Sequence, residues 1–400
     1  MKRRVEKSVA KGEIYAPPSK SYAHRLLISS ALAQGVSRIE GISESADMTA
    51  TLECIKALGA SFEKTGNTVS VNGGIKPACK ERIFNCFESG STLRFFIPIA
   101  LLTGDVCVFC GTERLMSRGI EVYEEIFKGQ NIECIRGKDK ITLSGKLKPN
   151  VFNIPGNISS QFISGLLFAL PMLNGDSVIN ITTELESRAY VDITIESLKL
   201  FGIEIVRGNN TFYIRGNQKY KCTDCVVEGD YSNAAFLDGF NLFGGDVSVL
   251  GLNGNSFQGD KIYKEYFSLL KDGAPKLDIS NCPDLGPVLF AIAALKNGGE
   301  FTGTRRLRIK ESDRAKAMAQ ELSKLGVEVA VFENSVTVSK GAKAPKEPLF
   351  GHNDHRIVMA LTLALSVIGG EIDGCEAVSK SYPDFFEEIA KLGIRSDVIQ

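Results

Sequence analysis

The chain has 400 residues, 44% of them hydrophobic and 24% charged, with Lys plus Arg and Asp plus Glu equal at 47 each. That length supplies core for two or three domains, and the even balance excludes a global field that would draw nucleic acid or an anionic membrane. Any positive field has to come from local clusters. Met1-Lys2-Arg3-Arg4-Val5 carries no apolar leader, so the ten cysteines are expected to be reduced thiols of a cytosolic protein. The most apolar run, 356–370, is too short and too clearly capped to span a bilayer.

Along the chain a short strand at 13–15 precedes the breaker Ala16-Pro17-Pro18 and a first apolar helix closing near Gly35. An amphipathic helix at 47–58 ends on Gly59, and a hairpin follows at 61–64 and 68–71 across a Gly-Asn turn. The pattern then repeats. Apolar helices at 95–102, 162–173 and 288–295 read as buried on every side, and their series closes on Gly104, Gly175, Gly244, Gly298 and Gly369. One-sided helices, as at 191–201 and 314–325, close on Gly129, Gly202, Gly273, Gly326 and Gly393, where a left-handed C′ glycine is expected. Hairpins are expected at 204–207 with 211–214 and at 328–332 with 335–338. Successive glycines of one series lie about 70 residues apart, which marks a repeat architecture. One interval is about 54, because the fourth unit runs from Gly273 straight into 277–279 and lacks its hairpin. The expectation is six α/β (α+β) units, three per domain: 17–228 as one, 1–16 plus 229–400 as the other, with hinges near 16–18 and 228–230.

The helix starts are chemically unusual. They include Ser19-Lys20-Ser21-Tyr22-Ala23-His24-Arg25, Glu88-Ser89-Gly90-Ser91-Thr92-Leu93-Arg94, Lys310-Glu311-Ser312-Asp313-Arg314 and Asn353-Asp354-His355-Arg356. Arg114 and Arg118 precede one further helix, and Lys380-Ser381-Tyr382-Pro383 another. A helix N-terminus favours negative charge by about 0.3–1 kcal/mol, so cations crowded there are locally unfavourable until an anion arrives. Ser21, Ser89, Ser159, Ser160 and Ser187 add neutral donors, though each alone is explained by ordinary N-capping. Together they imply a site for more than one small anion. The two Cys-x-x-Cys pairs, 107–110 and 222–225, are far apart and give no zinc site, and no phosphate-binding glycine loop indicates a nucleotide.

Over nearly the whole chain these motifs resemble the 5-enolpyruvylshikimate-3-phosphate synthase family. The resemblance rests on Pro-x-Ser-Lys-Ser-x-x-x-Arg at 17–25, Lys-Glu-Ser-Asp-Arg at 310–314 and Asn-Asp-His-Arg at 353–356. Ser159-Ser160-Gln161, Ser187-x-x-Tyr190 and Lys380-x-x-Pro383-Asp384 follow in the family's order. The resemblance implies an inside-out, two-domain α/β barrel with its active site in the interdomain cleft. It also implies enolpyruvyl transfer from phosphoenolpyruvate to shikimate 3-phosphate by a cytosolic monomer that needs no metal or organic cofactor. By the same resemblance Ser21 and Arg25 hold the shikimate carboxylate, Ser159, Ser160 and Ser187 its phosphate, and Lys310 its ring hydroxyls. Gly90, Arg118, Arg314, Arg356 and Lys380 hold phosphoenolpyruvate, while Lys20 and Gln161 lie between the substrates. Asp284 takes the 5-hydroxyl proton, and Glu311 protonates the methylene, with Lys380 its rival. The chain departs from the family pattern at Pro18, His24, Gly119, Ala189 and Arg306, and no contact is carried over to Arg306. A related nucleotide-sugar enolpyruvyl transferase family would place a Cys where Glu113 stands, Cys110 being out of register. A non-catalytic repeat scaffold would explain the glycines but not the cationic helix starts.

Overall fold

The alternation of all-apolar and one-sided helices resolves into two units, Pro18–Glu228 and Met1–Pro17 with Gly229–Gln400. The computed structural model describes residues 1–76 and 81–399. In the 18–228 unit each repeat is a parallel strand pair bridged by a buried helix and extended by an antiparallel hairpin. Glu81–Asn85 runs parallel to Val106–Cys110, with helix Gly90–Ala100 between them in sequence, and Lys140–Ser144 and Glu133–Arg136 complete the sheet. The next sheet has the order Val151–Ile154, Ser177–Ile181, Thr211–Ile214, Ile205–Arg207. The first repeat borrows its leading strand from the end of the unit, where Cys225–Val226 lies parallel to Gly35–Glu40.

The other unit builds two sheets of the same kind and one reduced sheet. Lys11–Tyr15 pairs in parallel with Asp246–Leu250 alone, so among the described residues the fourth repeat does lack its hairpin. The Lys11–Tyr15 strand settles where the segment before the first helix belongs. Lys2–Val5 lies between Gly370–Asp373 and Ser396–Ile399, antiparallel to both. Helices Gly286–Leu295 and His355–Ile368 are buried almost end to end, as continuous apolar sequence requires. Each unit has its own hydrophobic cluster. Among the described residues no helix is long and apolar enough to cross a membrane.

Two of the closing glycines do not take the left-handed conformation. Helix Glu121–Gln130 runs through Gly129, and Asn131 caps it instead at φ 54°. Gly273 is extended at φ −171°, because the chain there continues directly into the strand Lys276–Asp278 and does not turn back into a hairpin. The remaining glycines of both series have positive φ.

Helices Gly90–Ala100 and Ser160–Ala169 approach closely at Gly165. A Cβ there would lie 2.5 Å from the Arg94 carbonyl oxygen and 2.2 Å from the Tyr123 hydroxyl. That hydroxyl donates to the Arg94 carbonyl at 2.7 Å and the Phe162 carbonyl at 3.1 Å, so it cannot move aside without losing both. Gly165→Ala is expected to cost about 1–3 kcal/mol by overpacking, measured as a lower urea midpoint at unchanged slope.

Candidate active site

In the 18–228 unit, buried hydrogen bonds tie the helix starts to one another. Lys20, the first residue of helix Lys20–Leu32, donates from Nζ to Asp47 Oδ2 at 2.8 Å. Arg25 is buried one turn on. It donates to Thr194 Oγ1 at 2.7 Å, the Ser21 carbonyl at 2.6 Å and the Tyr190 carbonyl at 2.9 Å, and lies over the Phe95 ring. Burial lowers its guanidinium to about 10. Thr194 also shares a 2.7 Å bond with Ser164, which joins helix Ser160–Ala169 to helix Arg188–Leu200.

Gly90 and Arg118 meet face to face: a Cβ on Gly90 would lie 2.7–2.9 Å from the guanidinium. Gln161 Nε2 donates to Ser91 Oγ at 2.9 Å, and its Oε1 accepts from Arg94 at 2.7 Å. Arg94 also donates to the Arg118 carbonyl at 2.7 Å. Gly90, Arg118 and Gln161 therefore form one connected group. Ser89 and Ser159 cap their helices through Thr92 N and Gln161 N, the ordinary role each has alone. Ser160 is buried at the first position of its helix. Ser187 sits at φ 53° and makes no side-chain cap.

His24 is buried and joined through Nδ1 to Thr51 Oγ1 at 2.7 Å; Thr51 reaches Thr92 at 3.0 Å, and Thr92 donates to Ser89 Oγ at 2.8 Å. With Nδ1 as donor the chain runs in one direction from the first helix to the start of the second. Nε2 has no hydrogen-bond partner. Burial, with Lys20 and Arg25 adding and Asp47 opposing, pulls the imidazole down to about 3.

The other unit holds a denser cluster. Asp284 Oδ1 accepts from Lys310 Nζ at 3.0 Å and Arg314 Nη1 at 2.8 Å, and Oδ2 accepts from Arg356 Nη2 at 3.0 Å. Burial would raise this carboxyl, but Arg356, Lys310 and Arg314 together outweigh it and hold Asp284 well below the usual carboxylate range. Arg314, 1% exposed, also donates to Glu311 at 2.7 Å and through Nε to Asp354 at 2.9 Å. Ser312 donates to the same Asp354 oxygen at 2.9 Å, and Asp354 caps helix His355–Ile368 through Arg356 N. Lys310 is lowered, chiefly by burial, with Arg314 and Arg306 adding and Asp284 opposing. Lys380 Nζ donates to the carbonyl of Asn353, which with His352 forms a left-handed pair before Asp354. Among the described residues no group of three or more His, Cys, Asp or Glu is placed to hold a metal ion.

The profile of EPSP synthase (3-phosphoshikimate 1-carboxyvinyltransferase) matches residues 5–389. Proteins named 3-phosphoshikimate 1-carboxyvinyltransferase are similar across the chain. The one from Clostridium kluyveri is 43% identical, over 96% of this chain and 95% of its own. The one from Clostridium acetobutylicum is 44% identical with the same coverage. The chain belongs to the EPSP synthase family. An EPSP synthase structure from Acinetobacter baumannii shares the fold at TM-score 0.80 and 22% identity, covering all of both chains.

Several members of the two clusters are absent from the motif-based set. Asp354 and Arg94 lie inside the quoted helix starts, where Asp354 two residues before Arg356 is a usable signal. Asp47, Thr194 and Ser232 carry no local signal, since their partners are distant in sequence. In this member of the EPSP synthase family, His24 makes stability acid-sensitive. Its folded value lies below the ordinary 6.5, so its contribution is full above 6.5 and is lost as pH falls toward about 3. Chemical denaturation of the chain is expected to lose on the order of a few kcal/mol over that window, and His24→Gln to flatten the dependence.

Proposed function

We propose that the chain transfers the enolpyruvyl group of phosphoenolpyruvate to the 5-hydroxyl of shikimate 3-phosphate, releasing phosphate through a tetrahedral intermediate. The observation that carries the proposal is Asp284, a partly buried carboxylate kept ionised by three cations that are themselves suited to phosphate and carboxylate. In the 18–228 unit Ser21 and Arg25 take the shikimate carboxylate, and Ser159, Ser160 and Ser187 take its phosphate. Gly90 N–H and Arg118 take phosphoenolpyruvate, with Lys20 and Gln161 touching both substrates. In the other unit Lys310 serves the ring hydroxyls, and Arg314, Arg356 and Lys380 the phosphoenolpyruvate anions.

A carboxylate held so low is a weak base until its cations find other partners. Substrate anions supply them: as Arg314 and Arg356 turn to phosphoenolpyruvate, Asp284 loses the charges that depress it and gains basicity. The hydroxyl oxygen then bonds to C2 as its proton passes to Asp284, and Glu311, which takes up a proton from solvent once Arg314 has left it, protonates C3. Elimination returns the C3 proton to Glu311 and expels phosphate, which leaves with the proton from Asp284. Glu311 is released from Arg314 by the same exchange. The working form is taken as a cytosolic monomer, which sedimentation of the purified chain checks.

The deciding assay is phosphate release from phosphoenolpyruvate with shikimate 3-phosphate, against the same assay with UDP-N-acetylglucosamine; no turnover with the first pair sinks the proposal. Arg314→Ala is a poor probe, because it would strand three carboxylates that share one buried cation. Arg118→Gln is expected to raise KM for phosphoenolpyruvate about 10–100-fold, the worth of one charge-assisted hydrogen bond, with little change for shikimate 3-phosphate. Ser160→Ala should do the reverse, more weakly. Equal effects on both substrates would refute the division. Gly90→Ala should leave the thermal midpoint nearly unchanged, since only the mobile end of Arg118 must shift, yet raise KM for phosphoenolpyruvate.

A further inference from the structure

Glu321 lies outside that scheme, yet it is a carboxylate only 2% exposed on the helix Arg314–Lys324. A buried carboxylate persists only where its oxygens are met, and both of these are met from one short segment. Oε2 accepts from Phe350 N–H at 2.9 Å, and Oε1 accepts from His352 Nε2 at 2.8 Å. Lys324 adds an ion pair at 2.9 Å from the helix itself. Burial would raise this carboxyl, but His352, Lys324 and the Phe350 N–H outweigh it and hold it below its ordinary range. The ionised oxygens can only accept, so Nε2 of His352 carries the donated proton.

The gripped segment is tightly built. Phe350 ends the edge strand Leu349–Phe350, which pairs with Gly370–Asp373 on its other side. Gly351 N–H continues that pairing to the Asp373 carbonyl at 2.8 Å. A Cβ on Gly351 would lie 2.5 Å from Val358 and 2.9 Å from the Gly374 carbonyl oxygen, so only glycine fits between the two anchors. His352 and Asn353 then turn left-handed at φ 50° and 52°. Among the described residues they are the only adjacent non-glycine residues with positive φ. Such a pair persists only where its surroundings over-determine it. Here one face of the helix Arg314–Lys324 does so at two points. Glu321 holds 350 and 352, and Arg314, about two turns earlier, holds Asp354 through Nε at 2.9 Å. Between the two grips stands the Asn353 carbonyl, which accepts from Lys380 Nζ at 2.9 Å.

We propose that Glu321 and His352 are positioning residues for Lys380: their hydrogen bond holds the left-handed turn that aims the Asn353 carbonyl at the ammonium, which is thereby placed for phosphoenolpyruvate. A backbone carbonyl orients a cation without cancelling its charge. A cation already in place loses less freedom when the anion binds. Neither Glu321 nor His352 touches a substrate in this arrangement, and both act through Lys380.

The inference rests on the enolpyruvyl-transfer reading, and two measurements separate their failures. The first uses His352→Gly, because glycine adopts φ 50° without strain while losing the donor to Glu321. It is expected to raise KM for phosphoenolpyruvate about 3–10-fold, part of the worth of one charge-assisted hydrogen bond, with KM for shikimate 3-phosphate unchanged. In a Lys380→Met background the same change should raise KM no further, as for two residues acting on one contact. An equal rise for both substrates, full additivity with Lys380→Met, or a lowered thermal midpoint with both KM values unchanged overturns the proposal. The second measurement is the rate at which acetic anhydride acetylates Lys380 in the ligand-free chain, read by mass spectrometry, which needs no turnover. His352→Gly should speed it. Glu321→Gln should do the same, since its amide must turn a donor toward either the Phe350 N–H or His352. Unchanged Lys380 reactivity in both variants overturns the proposal. If the unaltered chain turns over no phosphoenolpyruvate, the enolpyruvyl reading fails alone and the acetylation rates still decide the role of Glu321 and His352.

Discussion

A buried ionic group is tolerated only when its charge is met, and the interior around Asp284 is organised by that constraint. Arg314 is met by Asp284, Glu311 and Asp354, and Asp284 by Lys310, Arg314 and Arg356. Each ion makes burial of the next tolerable, and none could be truncated without stranding its neighbours. The fold serves this balance. Continuously apolar helices place their first turns, with their cationic side chains, at the edge of a low-dielectric core. Charge that would be worth little on a surface becomes strongly directional there.

In the 18–228 unit two buried arginines are met by neutral groups instead. Arg25 is surrounded by two backbone carbonyls and Thr194, and Arg94 by the Gln161 side chain and the carbonyls of Arg118 and Gly119. These acceptors orient a guanidinium without cancelling its charge. The cation stays available to an incoming anion, whereas the cations around Asp284 must first exchange partners. In the proposed reaction one arrangement would supply standing attraction and the other a base whose strength depends on occupancy.

The repeat is legible in the sequence because a buried helix leaves no polar face and a left-handed cap favours glycine. Both signals are local. Gly129 and Gly273 depart from the pattern for the same reason: whether the chain turns or continues depends on the residues beyond the glycine, as Asn131 and the missing hairpin show. Cations at the helix starts are equally visible. Their partners are not, since Arg25 meets Thr194 across 169 positions and Arg356 meets Ser232 across 124. The environment of Asp284 is invisible to any motif, because a carboxyl's proton affinity is set by the whole shell around it.

The strand Lys2–Val5 lies inside its sheet, hydrogen-bonded on one side to Gly370–Asp373 and on the other to Ser396–Ile399. Segments from opposite ends of the described residues are therefore adjacent partners in one sheet. During synthesis from the N-terminus, residues 18–228 can acquire all their strands, including Cys225–Val226, while the last sheet still lacks its edge. Lys2–Val5 must wait for Ser396–Ile399 before that sheet can close. Completion of the unit that carries Asp284 therefore waits until residues 396–399 have been made.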